Sequence, residues 1–446
     1  MMKKINVLAL ILIILIKCNI AAAQEESVLN GLIGDEADRF SGRAYDIYVD
    51  LHKTPELSLM EFETSAKMAR FLKEFGLEVT SGVGGYGVVG VLKNGEGPVI
   101  MIRTDMDALP VKETTGLEFA STRTMADAEG NEWPVMHACG HDMHMTVWTG
   151  VVSTMVKLKD EWHGTLIAIA QPAEEIVRGA SGMIEDGLFS RFPTPEYALC
   201  FHVSAELPAG TVGYFPGSIT AGVNSANITM YGRGGHGAMP HTTIDPIVLS
   251  ARTILALQTI VSREINPVYP AVVTVGSIHG GTRDNIIPEE VKMQLTLRFF
   301  TDDVYKKIQK ALFRIPAGIA ISAGVPDDRM PLVELGDRYT PPVANDPGLV
   351  EFATNSMSGI LGSDNVNRVE PSTVAEDFGR YGRTEEHVKI AFFWLGSVNP
   401  DLYMKARENK VIIPALHNPS FCPDFYPTFE TGVKCMTRTV IDLFNR

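Results

Sequence analysis

Residues Met136-His137-Ala138-Cys139-Gly140-His141-Asp142 place a thiol and an imidazole two positions apart, just ahead of a helical stretch. Further on come the adjacent carboxylates of Gln171-Pro172-Ala173-Glu174-Glu175, and lone histidines at His202 and His417. A Cys-x-His pair alone is a weak signal, because cysteine is often only a small buried hydrophobe. The acid pair strengthens it. Neighbouring residues at a strand end point in different directions, so one carboxylate can bind a cation while the other faces a water molecule. Soft and hard ligands together with a spare base are the requirements of metal-assisted hydrolysis.

The elements that must position these groups read as follows. Ser58-Leu59-Met60-Glu61 has the form of a capping box, followed by Phe62, Ala66, Ala69 and Leu72 at helical spacing. Strand-like runs cover 87–92, 98–103, 165–170 and 197–201, the last two delivering the glutamate pair and His202 at their carboxyl ends. Trp148, Val151, Val152, Met155 and Leu158 mark the buried face of a helix. Strands alternating with helices predict an α/β fold, a mostly parallel sheet with helices on both faces and a site at the strands' carboxyl ends. Residues 218–337 change rhythm to strand, helix, strand, strand, helix, strand, a ferredoxin-like insertion. The metal-binding domain is then 24–217 with 338–446. Gly232-Arg233-Gly234-Gly235-His236-Gly237 satisfies a dinucleotide pattern formally, but no acid ends a second strand at the required distance.

A composition of 45% hydrophobic and 21% charged residues is that of a globular protein, and 446 residues exceed one ordinary core. Residues 1–23 read as a secretory signal: Lys3 and Lys4, an apolar run from Val7 to Ile16, then Ala21-Ala22-Ala23. Export follows, to the periplasm or beyond the cell, with lipid anchoring at Cys18 as the alternative. The net charge of −14 becomes −17 once the three lysines of that segment are lost, which speaks against nucleic acid or an anionic membrane as partner. Cys139, Cys200, Cys422 and Cys435 remain, and a Cys422–Cys435 bridge is open to an exported chain.

The motifs together resemble the M20 metallopeptidase/amidohydrolase family, in its N-acyl-amino-acid amidohydrolase branch with the hippurate and auxin-conjugate hydrolases. They run in order: Leu51–Leu57, Arg103–Pro110, the Cys-Gly-His block, Gln171–Glu175, Gly234–His241, Asn285–Pro288, Ala375–Phe378 and His417–Pro419. The resemblance implies two divalent ions (Zn, Mn, Co or Ni), bridged by Cys139, with Glu175 and His417 on one and His141 and His202 on the other. Asp105 would orient a ligand imidazole, whereas Asp107 reads as a turn residue. Glu174 would be the general base, and His236 would reach from the inserted dimerisation/lid domain into the site of a second subunit. Asn285 and Arg298 would hold the substrate carboxylate, and Gly396 would offer it backbone contact.

The reaction so implied is cleavage of an N-acyl amino acid to a carboxylic acid and a free amino acid by a homodimer. A metallo-carboxypeptidase or dipeptidase, or a non-catalytic binding relative, stands as the alternative. Of the other histidines, His137 and His144 flank the ligands, and His52, His163, His279 and His387 read as structural or solvated.

Overall fold

The computed structural model describes residues 2–127 and 129–446, with residues 2–23 and 25 described by backbone alone. The side chains of the expected signal segment therefore lie outside the described residues. Among the described residues no helix is long and apolar enough to cross a membrane. The chain divides into two compact units: Met1–Pro216, Asn345–Val369 and Tyr381–Arg446 in one, Gly217–Ala344 and Glu370–Arg380 in the other. Residues 338–344 and 370–380, given to the metal-binding part on sequence, thus group with the smaller unit.

In chain order the main elements are α1 (Met2–Lys53), α2 (Phe62–Glu74), β1 (Glu78–Val83), β2 (Gly87–Asn94), β3 (Val99–Asp105), α3 (His141–Lys157), β4 (Gly164–Gln171), β5 (Tyr197–Pro208) and β6 (Val212–Tyr214). The smaller unit supplies β7 (Gly222–Tyr231), α4 (Pro246–Thr259), β8 (Ala271–His279), β9 (Glu290–Phe299), α5 (Asp302–Ser322) and β10 (Leu332–Leu335). The chain closes with α6 (Pro347–Leu361), β11 (Val366–Arg368), β12 (Lys389–Val398) and α7 (Phe425–Phe444).

The larger unit is built on an eight-stranded sheet in the order β1-β2-β4-β3-β5-β12-β6-β11. Its centre, β4-β3-β5-β12, is parallel throughout. These strands carry nearly unbroken apolar runs because both of their faces are covered. Helix α3 is buried from His141 to Met155, and Trp162 stacks on Phe444 of α7 at 4.5 Å. Two departures from the parallel pattern are β2, antiparallel to both β1 and β4, and β6, antiparallel to β12. A tight hairpin joins β1 to β2, and so short a link cannot make the crossover a parallel pair needs.

The smaller unit's sheet runs β8-β9-β7-β10, antiparallel throughout, with strands and helices following one another in the ferredoxin-like sequence. Its core packs Phe299 against Tyr305 at 4.3 Å between centroids. The helices start where side chains can satisfy their first amides: Asp245 accepts from Ile247 N at 2.9 Å for α4, and Thr301 from Val304 N at 3.3 Å for α5.

The predicted capping box does not form. Glu61 occupies the N-cap of α2 without a side-chain cap bond, and Glu56 takes over, accepting from Glu63 N at 3.2 Å and Thr64 N at 2.7 Å. The physical reason lies at Leu59, whose φ of 62° turns the loop so that Ser58 and Glu61 face inward. Ser58 Oγ donates to Asp107 at 2.6 Å and Glu61 accepts from Ala173 N at 2.7 Å. Glu56→Ala is accordingly expected to lower stability by about 1–2 kcal/mol through loss of the cap. A chemical-denaturation midpoint identical to that of the parent would show the cap to be idle.

Candidate metal centre

Helix α3 starts at His141, with Gly140 at its N-cap in the left-handed region at φ 78°. A Cβ at Gly140 would stand 2.6 Å from Val203 Cγ2, so only glycine lets the chain turn here with Cys139 and His141 on either side. His202 lies on β5 opposite Trp394 of β12. Glu174 and Glu175 follow the end of β4 in a turn that opens with Ala173 at φ 53°, a conformation costing an L-residue about 1–2 kcal/mol. His417, in a loop at φ 65°, is tied in by its N–H to Ala138 O at 2.8 Å.

These elements bring the five expected ligands together. Cys139 Sγ lies 3.4 Å from His202 Nε2 and 3.3 Å from His417 Nε2. His417 Nε2 is 3.5 Å from Glu175 Oε2, and His141 Nε2 is 3.8 Å from Glu175 Oε1. Two triads share the thiol: Cys139, His141 and His202, and Cys139, Glu175 and His417, each with its donor atoms within 4.8 Å of one another. Bonds of 2.0–2.3 Å around a tetrahedral cation would set ligand atoms about 3.3–3.8 Å apart. The observed spacings fall at that edge.

Two further observations test the fit. Both ring nitrogens of His141 and Oε1 of Glu175 are buried without a hydrogen-bond partner among the described residues. Buried polar groups are normally paired; a cation between His141 Nε2 and Glu175 Oε1 would satisfy those two, while Nδ1, on the other side of the ring, faces Asp107 Oδ1 at 3.5 Å. Burial, with the charges of Glu175 and Glu174, pushes the Cys139 thiol well above its ordinary range. Burial alone would lower His141, but Asp105, Asp107 and Glu175 outweigh it and raise the imidazole to about 10. The pocket holds an excess of negative charge that divalent ions would neutralise.

The supporting residues differ from expectation. Asp105 accepts from Arg103 Nη1 at 2.6 Å and bonds His144 Nδ1 at 2.7 Å. His144 Nε2 in turn accepts the N–H of Val203, next to His202, at 2.8 Å. Asp105 therefore braces His144, and the carboxylate nearer to His141 Nδ1 is Asp107, at 3.5 Å against 3.8 Å. Asp107, set aside on sequence as a turn residue, is buried, and its Oδ2 also accepts from Glu175 N at 2.9 Å. Its spacing of two from Asp105 at a strand end was the available signal, and burial decided the matter. His52 joins Asp142 at 2.7 Å and Glu113 at 3.0 Å, a buried clamp from α1 onto the first turn of α3.

Gly396 has its N–H donated to Thr211 O and its carbonyl accepting from Thr428 Oγ1, and a Cβ there would sit 2.0 Å from Pro208 O. Close packing explains this glycine, and no backbone donor is left for a substrate. In the smaller unit His236 and Asn285 are exposed on one small ribbon, where residues 235–236 pair with 286–287 and Gly237 N donates to Asn285 O at 2.8 Å. Arg298 lies on β9 of the four-stranded sheet, half-buried. Cys139, Cys200, Cys422 and Cys435 are all unbridged, so the Cys422–Cys435 pair is not joined.

The raised values of Cys139 and His141 have a direct consequence. Both groups hold a proton at pH 7 without metal, so cation binding displaces protons and weakens as pH falls. Zn²⁺ titration calorimetry in buffers of different protonation heat is expected to read about two protons released, and about one for Cys139→Ala. Release unchanged by that substitution would remove the thiol from the ligand set.

The profile of peptidase family M20/M25/M40 matches residues 101–441. Thermostable carboxypeptidase 2 of Saccharolobus solfataricus is 36% identical over 84% of this chain and 88% of its own length. N-acetyl-L-cysteine deacetylase of Bacillus subtilis is 35% identical over 78% of each. A Bacillus subtilis crystal structure described as a dinuclear metal-binding peptidase of the M20 family has a TM-score of 0.75 at 28% identity, covering 92% of this chain and 99% of that one. The shared thiol between two triads is the local counterpart of that dinuclear description. With its fold, ligand geometry and profile in agreement, this chain is a hydrolytic enzyme that belongs to peptidase family M20/M25/M40.

Proposed function

We propose that the protein is an exported amidohydrolase that cleaves N-acyl amino acids to a carboxylic acid and a free amino acid. The observation that carries the catalytic part is Cys139 Sγ set between His202 and His417, with the buried Glu174 carboxylate 3.9 Å from His141 Nε2. Cys139, Glu175 and His417 would hold one divalent ion, and Cys139, His141 and His202 the other. When bound, such ions acidify water and polarise the scissile carbonyl. Glu174 takes the proton of the attacking water and returns it to the leaving amine nitrogen as the C–N bond breaks. Asp107 steadies the His141 ring, and His144 steadies the strand beside His202. Asn285 and Arg298 bind the amino acid carboxylate, for which a guanidinium fork is suited.

The acyl-amino-acid reading is supported by relatives such as the N-acetyl-L-cysteine deacetylase, whereas the carboxypeptidase relative supports peptide substrates. A mixed panel of N-acylated amino acids and dipeptides, followed by mass spectrometry, decides between them. We expect the acylated substrates to lead by about tenfold or more in kcat/KM. A lead for dipeptides would transfer the protein to the second reading. Glu174→Gln is expected to retain metal and lose at least about 100-fold in kcat; activity near the parent's would show that another group is the base.

Homodimerisation through the smaller unit completes the proposal. Strand β8 is a free edge of its sheet, Ile278 on it is exposed, and Ile247, Val248 and Leu255 of α4 are exposed as well. The partner subunit's His236 would then donate to the oxyanion. Mixing Glu174→Gln with His236→Ala subunits is expected to restore about a quarter of parental activity, because half the dimers regain one whole site. Failure to recover any activity after verified subunit exchange would place His236 outside its partner's chemistry. Export rests on the charged, apolar and small-residue order of 1–23. N-terminal sequencing of the mature protein, expected to begin near Gln24, tests it.

A further inference from the structure

We propose that Glu61 is a positioning residue for hydrolysis: with Asp107 it grips the backbone on either side of Glu174 and aims that carboxylate at the attacking water. The role rests on Glu174 being the base. Glu61 is the N-cap residue of α2, yet its side chain makes no bond to that helix. Its fully buried carboxylate instead accepts from Ala173 N at 2.7 Å, 112 residues along the chain.

The grip is two-sided. Glu175 N donates to Asp107 Oδ2 at 2.9 Å, and the same oxygen accepts from Ser58 Oγ at 2.6 Å. The amides immediately before and after Glu174 are thus held by two buried acids, one of them braced from the loop that carries the other. The rest of the turn closes on itself, with Val177 N donating to Glu174 O at 2.7 Å and Gly179 N to Ala173 O at 3.1 Å. Ala173 stays left-handed only while this frame holds. Without the Glu61 acceptor it would relax to negative φ and swing the next side chain away.

A purely structural position has no use for such a group. Burying a carboxylate is costly, and Oε2 of Glu61 has no hydrogen-bond partner among the described residues. An apolar side chain would fill the space at less cost but could not hold the amide of Ala173. Local rules broken in this way are expected where function requires it.

Two substitutions separate acceptor position from the presence of an acid. Glu61→Gln keeps an acceptor oxygen at the same reach, whereas Glu61→Asp keeps the carboxyl group and withdraws the oxygen by one methylene. We expect Gln to retain kcat within about threefold and Asp to lose about tenfold or more, with KM moving less than about threefold and bound metal unchanged. Hydrogen exchange of the peptide spanning 171–179, measured on metal-free protein, should quicken in the Asp variant alone. Parental kcat in the Asp variant, a Gln variant that is the more damaged, or a loss matching the fall in bound metal would each overturn the proposal.

If Glu61→Asp does not fold, Ser58→Ala gives the milder lesion on the same frame. It is expected to lose about threefold in kcat with metal retained, and no loss would overturn the proposal. Glu174→Gln run in parallel keeps the two claims apart. If it is inactive while Glu61→Asp is intact, only the positioning role falls; if it is active, both fall.

Discussion

Mutual repulsion among buried acids is the constraint to which the rest of the larger unit answers. Asp105, Asp107, Glu174 and the thiol of Cys139 are all buried in one pocket, beside Glu175. Like charges removed from water are unstable together, so such a pocket persists only with cations, imidazoles and aligned amides around it. Arg103 and His144 attend Asp105, the amides of Ala173 and Glu175 attend Glu61 and Asp107, and His141 stands among all four carboxylates. Helix α3 adds the positive end of its dipole, since it begins at His141 with Cys139 just before its N-cap.

The sheet makes this concentration possible. Strands β4, β3 and β5 are parallel, with Asp105 level with Gln171 and Arg103 level with Cys200, so the groups at the ends of β4 and β3 meet His202 within β5 without long loops. What the strands leave imprecise is set by special backbone. Gly140 turns the chain where a Cβ would strike Val203, and Ala173 and His417 take left-handed conformations that only surrounding bonds maintain. Hydrolysis needs groups placed to within a fraction of an ångström, and the strain stored at Ala173 is a reason to expect the residues around it to matter more than their distance from the metals suggests.

Much of the candidate ligand cluster was legible because ligand chemistry is written in residue type. Cys139, His141, Glu175, His202 and His417 combine side chains that few other tasks require in one chain, and the structure sets the other four around the Cys139 thiol. The elements were legible for a similar reason: periodicity follows from local geometry, so β2, β3 and β4 appear within two residues of their expected bounds, whereas β5 runs on to Pro208 and carries His202 within the strand rather than at its end. The ribbon with His236 and Asn285 was legible as motif only, because each unit's own fold does not say what a second copy would bring.

The misreadings share a cause. Ser58 and Glu61 have the spacing of a helix cap, yet they bond to Asp107 and Ala173, and Glu56 caps the helix instead. Asp107 looked like a turn residue until its burial beside His141 was visible, and Gly396 looked like a substrate contact until its backbone bonds were counted. By itself, the order of residue types determined which atoms could bind metal and which local elements would form. Only the tertiary structure decided which acid lies beside an imidazole, caps a helix or holds the turn at Glu174. A carboxylate's role is set by the partners and the dielectric it meets after folding, and neither is encoded within a few residues of it.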